Sequence, residues 1–435
     1  MIRTALIGSV VVWLAVLGTP LGALAGENPK NQTPDYMTLD ECIQIALRDN
    51  PEFLAYKENF AFYEADKTRS LREMFPAFSL DWTGSENNKG TGSYRTQAKV
   101  NQPLYRGSAL HTQWKLAGMD REKARLELLR QAQLKVSEVK SAWYRLLEAR
   151  AIEAEAVRAL DRLRRHASNA ARFFEEGMIW RNDALQAEVE VAQGDQGLVV
   201  AQNETAKALS RLNTLLNRDV TAPVTAVEKM EIPAFNADYE QLVALALAQR
   251  PDLAQKRIDL ERSQKNVQMA QSHRRPAVDV EGKWGLQSDE WDMGSNEEVG
   301  SIGFSATWNF YSSGKHQMAI TAARARMRQA RYNLEKAKAD LTRGVQDAWL
   351  SVLAAQKRIA VMAKALSQGR ENYRVNQIRY AERLGTAKEV LDAQDLMTRT
   401  QRDHIKGIAD YLVALAQLDF EVGREMSLTD TEQKP

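Results

Sequence analysis

The chain carries two pairs of short segments in which apolar and polar residues alternate. In the first pair, Phe78, Leu80 and Trp82 share one face, and Ala98 and Val100 share one face of the returning segment. The second pair repeats the pattern, with apolar positions at Val278, Val280, Trp284, Ile302, Phe304, Ala306, Trp308 and Phe310. Alternation with period two over about nine residues is typical of strands that cross an outer membrane, apolar outside and polar inside. We therefore predict two β-strands within 76–103 and two within 276–311.

Aromatic residues stand at both ends of these predicted strands. Three lie near the connecting loops and three at the opposite ends: Trp82, Tyr94 and Trp284, then Tyr105, Trp308 and Tyr311. A soluble hairpin in each half would also explain the alternation, but it would not require two aromatic levels about one bilayer apart. We interpret the four segments as membrane strands whose aromatic girdles lie at the two interfaces.

Long segments without proline predict long helices on either side of the strands. No proline occurs over 104–222 or over 277–434, and an interior proline would cost a helix about 3 kcal/mol. Val139, Ala142, Trp143, Leu146 and Leu147 follow the spacing of a helix face. We expect a helix over 107–174 that is about 100 Å long, with shorter helices over about 180–217 and 52–74.

The chain also repeats itself, with one change of offset. Pro51 and Pro76 recur 200 residues later as Pro251 and Pro276, whereas Tyr105 recurs 206 residues later, as Tyr311. The extra residues therefore lie between Pro276 and Tyr311, and a surface loop tolerates such a change best. We predict a first repeat over 26–218, a connector over 219–240, a second repeat over 241–424 and a tail over 425–435. The loops around 85–93 and 287–299 should face the cell exterior.

Closure of the strands and helices predicts the assembly. Each chain would supply four strands and four rod-length helical columns, and four strands alone would leave polar edges in lipid. Three chains would supply enough strands for a closed barrel and enough helices for a tube about 120 Å around. We therefore expect a mainly α protein with a transmembrane β part: a trimeric 12-stranded β-barrel continued by a helical barrel. The arithmetic is also compatible with two or four copies.

The ends and the composition narrow the function further. Arg3, an apolar stretch over 4–18 and small residues at Ala23 and Ala25 are typical of a secretory signal peptide over 1–25. The 59 Lys and Arg residues nearly balance the 57 Asp and Glu residues, so nucleic acid is not an expected partner. The single cysteine, Cys42, excludes an internal disulfide.

The order of these segments resembles the TolC-like outer-membrane efflux proteins over nearly the whole chain after the signal peptide. The resemblance rests on the twofold repeat, on the returns "QPLYRG" and "NFYSSG", and on the turns "FEEGMIWRNDALQAE" and "RYAERLGTAKEVLDAQ". It implies a trimeric β-barrel in the outer membrane that continues as a helical tunnel in the periplasm. It also implies docking to an inner-membrane transporter through a periplasmic adaptor, and hence a conduit for efflux or type I secretion.

The same resemblance gives a role to the acidic stretch "EVLDAQD" at 389–395. Glu389 and Asp392 resemble the family's paired acidic residues, which constrict the periplasmic end of the tunnel, and Asp183 matches Glu389 in the first repeat. Asp395 has no clear counterpart and is interpreted as a solvated residue. A merely solvated face is the alternative to a gate for the whole stretch.

The turns between the long helices are the expected docking surface for the adaptor. The residues involved are Phe174, Gly177, Tyr380, Arg383 and Gly385. Arg383 stands where the first repeat has Gly177, and Gly385 follows two residues later, so the resemblance leaves the geometry of the second turn open.

An enzyme and a periplasmic rod are the two alternatives to a channel. For an enzyme, the five histidines form no ligand-spaced pair, and no HExxH, GxSxG or P-loop motif occurs, so no catalytic, cofactor or metal site is predicted. A periplasmic coiled-coil adaptor or rod would explain the helices but not four amphipathic strands with aromatic ends. Such a rod should dissolve without detergent, and a barrel should not. The substrate stays open among drugs, metals and proteins.

Overall fold

The computed structural model of the protein describes residues 35–86, 92–226, 230–288 and 297–424. The predicted signal peptide, the tail and most of both predicted exterior loops lie outside these ranges. The first half contains β1 Asp35–Met37, α1 Leu39–Asp49, α2 Pro51–Arg72, β2 Ala77–Glu86, β3 Gly92–Arg106, α3 Ala109–Glu175 and α4 Arg181–Leu215. The second contains β4 Val224–Ala226, α5 Tyr239–Gln249, α6 Pro251–Ser272, β5 Ala277–Ser288, β6 Glu297–Thr307, α7 Lys315–Ala381 and α8 Ala387–Val422.

The four predicted strands form one antiparallel sheet in the order β2-β3-β5-β6. Their register pairs Ala98 with Trp284 and Trp284 with Gly300, with a shift between Pro103 and Tyr105. The two hairpins are therefore joined through β3 and β5, while β2 and β6 are the edges of the sheet within one chain.

Two strand boundaries differ from those predicted. The strand predicted to end near 103 continues to Arg106, and the strand predicted to reach 311 ends at Thr307. Thr307 pairs with Ala277, which follows Pro276, and a proline has no N–H to extend the ladder. The placement of Trp308 and Tyr311 within the strand was therefore wrong. Both side chains lie exposed in the loop that leads to α7.

One face of the sheet exposes large apolar side chains. Phe78, Leu80, Ile302 and Phe304 are all more than two-thirds exposed, with Ile302 at 89%. A soluble monomer rarely exposes an apolar surface of this kind, so the face is suited to lipid or to another surface. No helix among the described residues is both long and apolar enough to cross a bilayer.

The helices confirm the predicted elements to within a few residues. α3 and α7 each span 67 residues, which corresponds to about 100 Å. α2 and α4 both pack on α3, α6 and α8 both pack on α7, and α3 also contacts α6 and α8. The strands and the hairpin turns are therefore attached to opposite ends of the same two long helices.

The core lies in two clusters along these helices. Trp143 and Leu146 are fully buried in the first, and Val345 and Tyr411 are fully buried in the second. The Trp349 indole donates to the Ala237 carbonyl (3.2 Å), so it also fixes the connector against α7. The short strand β1 pairs in parallel with β4, which lies in the connector. Neither strand was predicted.

Charged side chains around the buried Arg250 hold the junction between α5 and α6. Arg250 donates to the Glu421 carbonyl (3.0 Å) and forms ion pairs with the carboxylates of Asp252 and Glu421. Arg130 lies over the Phe420 ring at 3.5 Å, and burial, aided by Arg250, lowers the pKa of Arg130 to about 10. In the first half Asn50 makes the corresponding bond, to the Leu215 carbonyl (2.9 Å). These joints fix the end of each return leg and so orient the hairpins that extend from them.

Candidate functional site

The two hairpin turns have the same backbone geometry. In the first, Gly177 has φ +70°, and its N–H bonds to the Phe174 carbonyl (2.9 Å). In the second, Arg383 has φ +63°, and its N–H bonds to the Tyr380 carbonyl (3.1 Å). Arg383 therefore adopts the left-handed conformation that Gly177 adopts. This settles the point that the sequence left open.

Arg383→Gly should stabilise the protein, because a side chain in this conformation costs about 1–2 kcal/mol. The added freedom of glycine in the unfolded chain offsets part of that gain, which leaves about 0.5–1 kcal/mol. Gly177→Ala is the matched control and should destabilise by about 1 kcal/mol, since open space surrounds its Cβ position and only the backbone is strained. Thermal unfolding followed by circular dichroism should shift in opposite directions. Equal shifts of the same sign would contradict this account.

Glu389 caps the helix that follows the second turn. The Thr386 hydroxyl accepts from the Glu389 N–H (3.3 Å), and Glu389 Oε2 accepts from the Thr386 N–H (3.1 Å). A Cβ on Gly385 would lie 3.0 Å from that same oxygen, so Gly385 makes room for the cap. The sequence carries the signal for this cap as T-x-x-E, an ordinary capping box. The first turn has Trp180 at the cap position and no side-chain cap.

The other acids differ in their surroundings. Lys388 Nζ lies 2.9 Å from an Asp392 carboxylate oxygen, and Arg399 Nη2 lies 3.1 Å from Asp395. Both pairs are about two-thirds exposed and one helical turn apart, so each contributes only about 0.3–0.5 kcal/mol. Asp183 acts on Tyr380: burial raises the pKa of that phenol, and the Asp183 charge raises it further.

The ends of the two hairpins touch within one chain. The His166 ring on α3 lies 5.4 Å from the Tyr380 ring on α7, and Phe173 lies 6.1 Å from the same ring. Arg383 Nη2 also approaches Met178 Sδ at 3.4 Å. The structure therefore brings Asp183, Tyr380 and Arg383 to one contact between the turns. His166 and Met178 belong to this contact but were not predicted, because the hairpins are about 200 residues apart in sequence.

The contact should weaken in acid. Burial lowers the pKa of His166 below 6.5, so the unfolded chain binds its proton more readily than the folded chain. The neutral ring thus contributes stability that is present above pH 6.5 and is lost as the pH falls toward the lowered pKa. Between pH 7.5 and 5.5, His166→Phe should show a smaller fall in unfolding temperature than the wild type. Exposed His111→Gln is the control, and an unchanged pH profile in His166→Phe would refute the assignment.

The outer surface of the turns is apolar. Trp180 is 84% exposed and Leu384 is 73% exposed, while Phe174 and Met178 are less than half exposed. Trp180 and Leu384 extend the predicted docking surface, and large apolar residues next to a turn were the signal for them. No group of three or more potential ligands for a metal ion occurs within the described ranges.

The aromatic residues near the strand ends lie at two heights along the sheet. Trp284 pairs with Ala98, and Tyr105 pairs with Val278, so six residues of β5 separate these levels. Six residues correspond to about 20 Å along a strand, and Trp308 lies just beyond Val278. Trp82, Trp284, Tyr105, Trp308 and Tyr311 are exposed, and Tyr94 packs its ring against Gly84. Two interfacial girdles remain a prediction that agrees with this spacing.

Part of the chain matches the profile of a known protein family. Residues 242–424 match the profile of the family described as outer membrane efflux protein. No curated protein matches the sequence.

Solved structures of outer-membrane channels share the fold of the described chain. The CmeC outer membrane channel of Campylobacter jejuni is 14% identical with a TM-score of 0.78, covering 88% of this chain and 85% of that one. The outer membrane protein VceC of Vibrio cholerae is 18% identical with a TM-score of 0.75, covering 88% and 96%. The open state of the Neisseria gonorrhoeae MtrE outer membrane channel is 18% identical with a TM-score of 0.77, covering 88% and 88%.

Proposed function

Because residues 242–424 match the profile of the outer membrane efflux protein family, we propose that this protein is the outer-membrane duct of an efflux or type I secretion system. It is a passive conduit, located in the outer membrane with its helices in the periplasm. An inner-membrane transporter and a periplasmic adaptor deliver substrates to it. The observation that carries this proposal is a sheet with an exposed apolar face, joined by short connections to two 67-residue helices.

Three chains form the barrel. β2 and β6 are the edge strands of the four-stranded sheet, and an edge in lipid leaves N–H and C=O groups without hydrogen bonds. Pairing β6 of one copy with β2 of the next removes every edge when the ring closes. The same ring brings the hairpin turns of three chains together at the far end of the helices.

The gate lies at those turns. Three copies of Glu389 and Asp392 place six carboxylates around the axis, with Asp183 on the neighbouring turn. Such a ring attracts cations and opposes anions. The Lys388 ammonium, 2.9 Å from Asp392, offsets part of the repulsion within each copy. The contact of the His166 and Phe173 rings with the Tyr380 ring holds the two turns of one chain together while the gate is closed.

The exposed apolar ends of the hairpins are the docking surface for the adaptor. Cysteine at Trp180 or Leu384 should crosslink to a periplasmic partner in cells, because these side chains are the most exposed apolar groups of the turns. Cysteine at Pro233 or Ala234 is the control, since the connector lies along the side of the helices and is also exposed. Stronger crosslinking at the connector than at the turns would mean that docking occurs along the rod.

A further inference from the structure

The end of the sheet that lies next to the long helices is basic in the second half of the chain. No Asp or Glu occurs over 262–278 or over 299–334, whereas these stretches contain Arg274, Arg275 and Lys315. The matching turn of the first half, 73–76, is Glu-Met-Phe-Pro and carries no basic residue. The charge at this level is therefore a property of the second half, and the repeat does not require it.

These basic side chains have no carboxylate partner within the described ranges. Nearby, Arg106 bonds Asp279 (3.0 Å) and so occupies the closest acid of β5. Arg275 approaches only the Ser108 hydroxyl, at 3.4 Å. Arg274, Arg275 and Lys315 are all exposed. A set of exposed cations without counterions is suited to an anionic ligand.

Aromatic rings border the same end of the sheet. Trp308 Nε1 donates to the Arg274 carbonyl (3.1 Å), and the Trp308 and Phe310 rings lie 6.0 Å apart. Both rings are well exposed and follow directly after β6, whose Ile302 and Phe304 lie on the apolar face. The opposite edge of the sheet carries Glu86, Glu297 and Glu298, so the sign of charge reverses along the strands.

We propose that Arg274 and Arg275, beside Trp308, together with Lys315 at the start of α7, bind the phosphodiester headgroups of anionic phospholipids. This rests on the proposed membrane location of the sheet. Aromatic rings lie at the glycerol level of a bilayer, and phosphates lie just beyond it, on the side where these cations follow the rings. A guanidinium also matches two phosphate oxygens at once. The continuous apolar face favours a lipid phosphate over a free one.

Native mass spectrometry of the full assembly with equal amounts of phosphatidylglycerol and phosphatidylcholine tests the proposal. The wild type should retain phosphatidylglycerol preferentially, and Arg274→Gln with Arg275→Gln should lower that preference several-fold. Arg274→Lys with Arg275→Lys should keep part of it, because the charge remains while the two-oxygen contact of each guanidinium is lost. Arg95→Gln, at the opposite edge, should have no effect. Circular dichroism melting of each variant verifies that it is folded, and Lys315→Gln alone provides a milder second variant.

Each other outcome has a definite meaning. Undiminished phosphatidylglycerol preference in both the double variant and Lys315→Gln would overturn the proposal. Complete displacement of the lipid by millimolar inorganic phosphate would assign the site to free phosphate and would also overturn it. Failure of the wild type to associate with either lipid, or its release from membranes without detergent, would instead refute the proposed function.

Discussion

Replacing Ile302 by Arg should prevent the protein from accumulating in the outer membrane. Ile302 is 89% exposed and lies at the middle of β6, on the apolar face of the sheet. A charged residue on the lipid face at the membrane midplane costs about 2–4 kcal/mol, and the assembly would contain three copies. That total is comparable with the whole stability of a typical domain.

Ser305→Arg on the same strand is the matched control. Ser305 lies on the polar face and pairs with Asp279, so an arginine there would face a carboxylate across the strands. We expect this variant to reach the membrane at nearly wild-type abundance. Immunoblots of washed outer membranes measure both variants. Similar abundance of Ile302→Arg and Ser305→Arg would show that the apolar face does not meet lipid.

Neutralising Glu389 and Asp392 should remove most of the cation preference of the channel. In the proposed gate, six carboxylates would concentrate negative charge at the narrowest part, and oxygen ligands of this kind also suit divalent cations that would block it. We expect the Ala double variant to lose cation selectivity several-fold and to become less sensitive to divalent block in planar bilayers. Asp395→Ala should change both far less, because Asp395 pairs with Arg399 one turn further along α8.

The cap formed by Glu389 requires a second variant. Glu389→Ala removes the bond to the Thr386 N–H as well as the charge, so α8 would also fray at its first turn. Glu389→Gln with Asp392→Asn keeps the cap, since glutamine serves equally in a capping box, and removes the same charge. If this amide variant keeps the cation preference and divalent block of the wild type, the acids form a solvated face and the gate proposal fails.

The helices and strands could be predicted because their signals are long. Proline-free stretches with helical spacing around Trp143 predicted α3 and α7, and alternation around Leu80 and Phe304 predicted the four strands. β1 and β4 were missed because three residues carry no readable period. The end of β6 was misplaced because its limit is set by Pro276, which immediately precedes the partner strand β5, and only the register reveals this.

The candidate site was predictable in part. Its position at the turns followed from the resemblance, but the contact between His166 and Tyr380 depends on how two distant hairpins pack together. The left-handed Arg383 was also unpredictable from its side chain, because hydrogen bonds of the turn impose that conformation. The Thr386–Glu389 cap was readable in the sequence and was overlooked.

The mass of the extracted protein tests the central proposal most directly. The chain should remain in the membrane fraction until detergent is added, because the proposed function places the apolar face of its sheet in lipid. In mild detergent, light scattering corrected for bound detergent should then give the mass of three chains, since the proposed trimer would close both the strands and the helices. A mass of one or two chains, or release without detergent, would contradict the account.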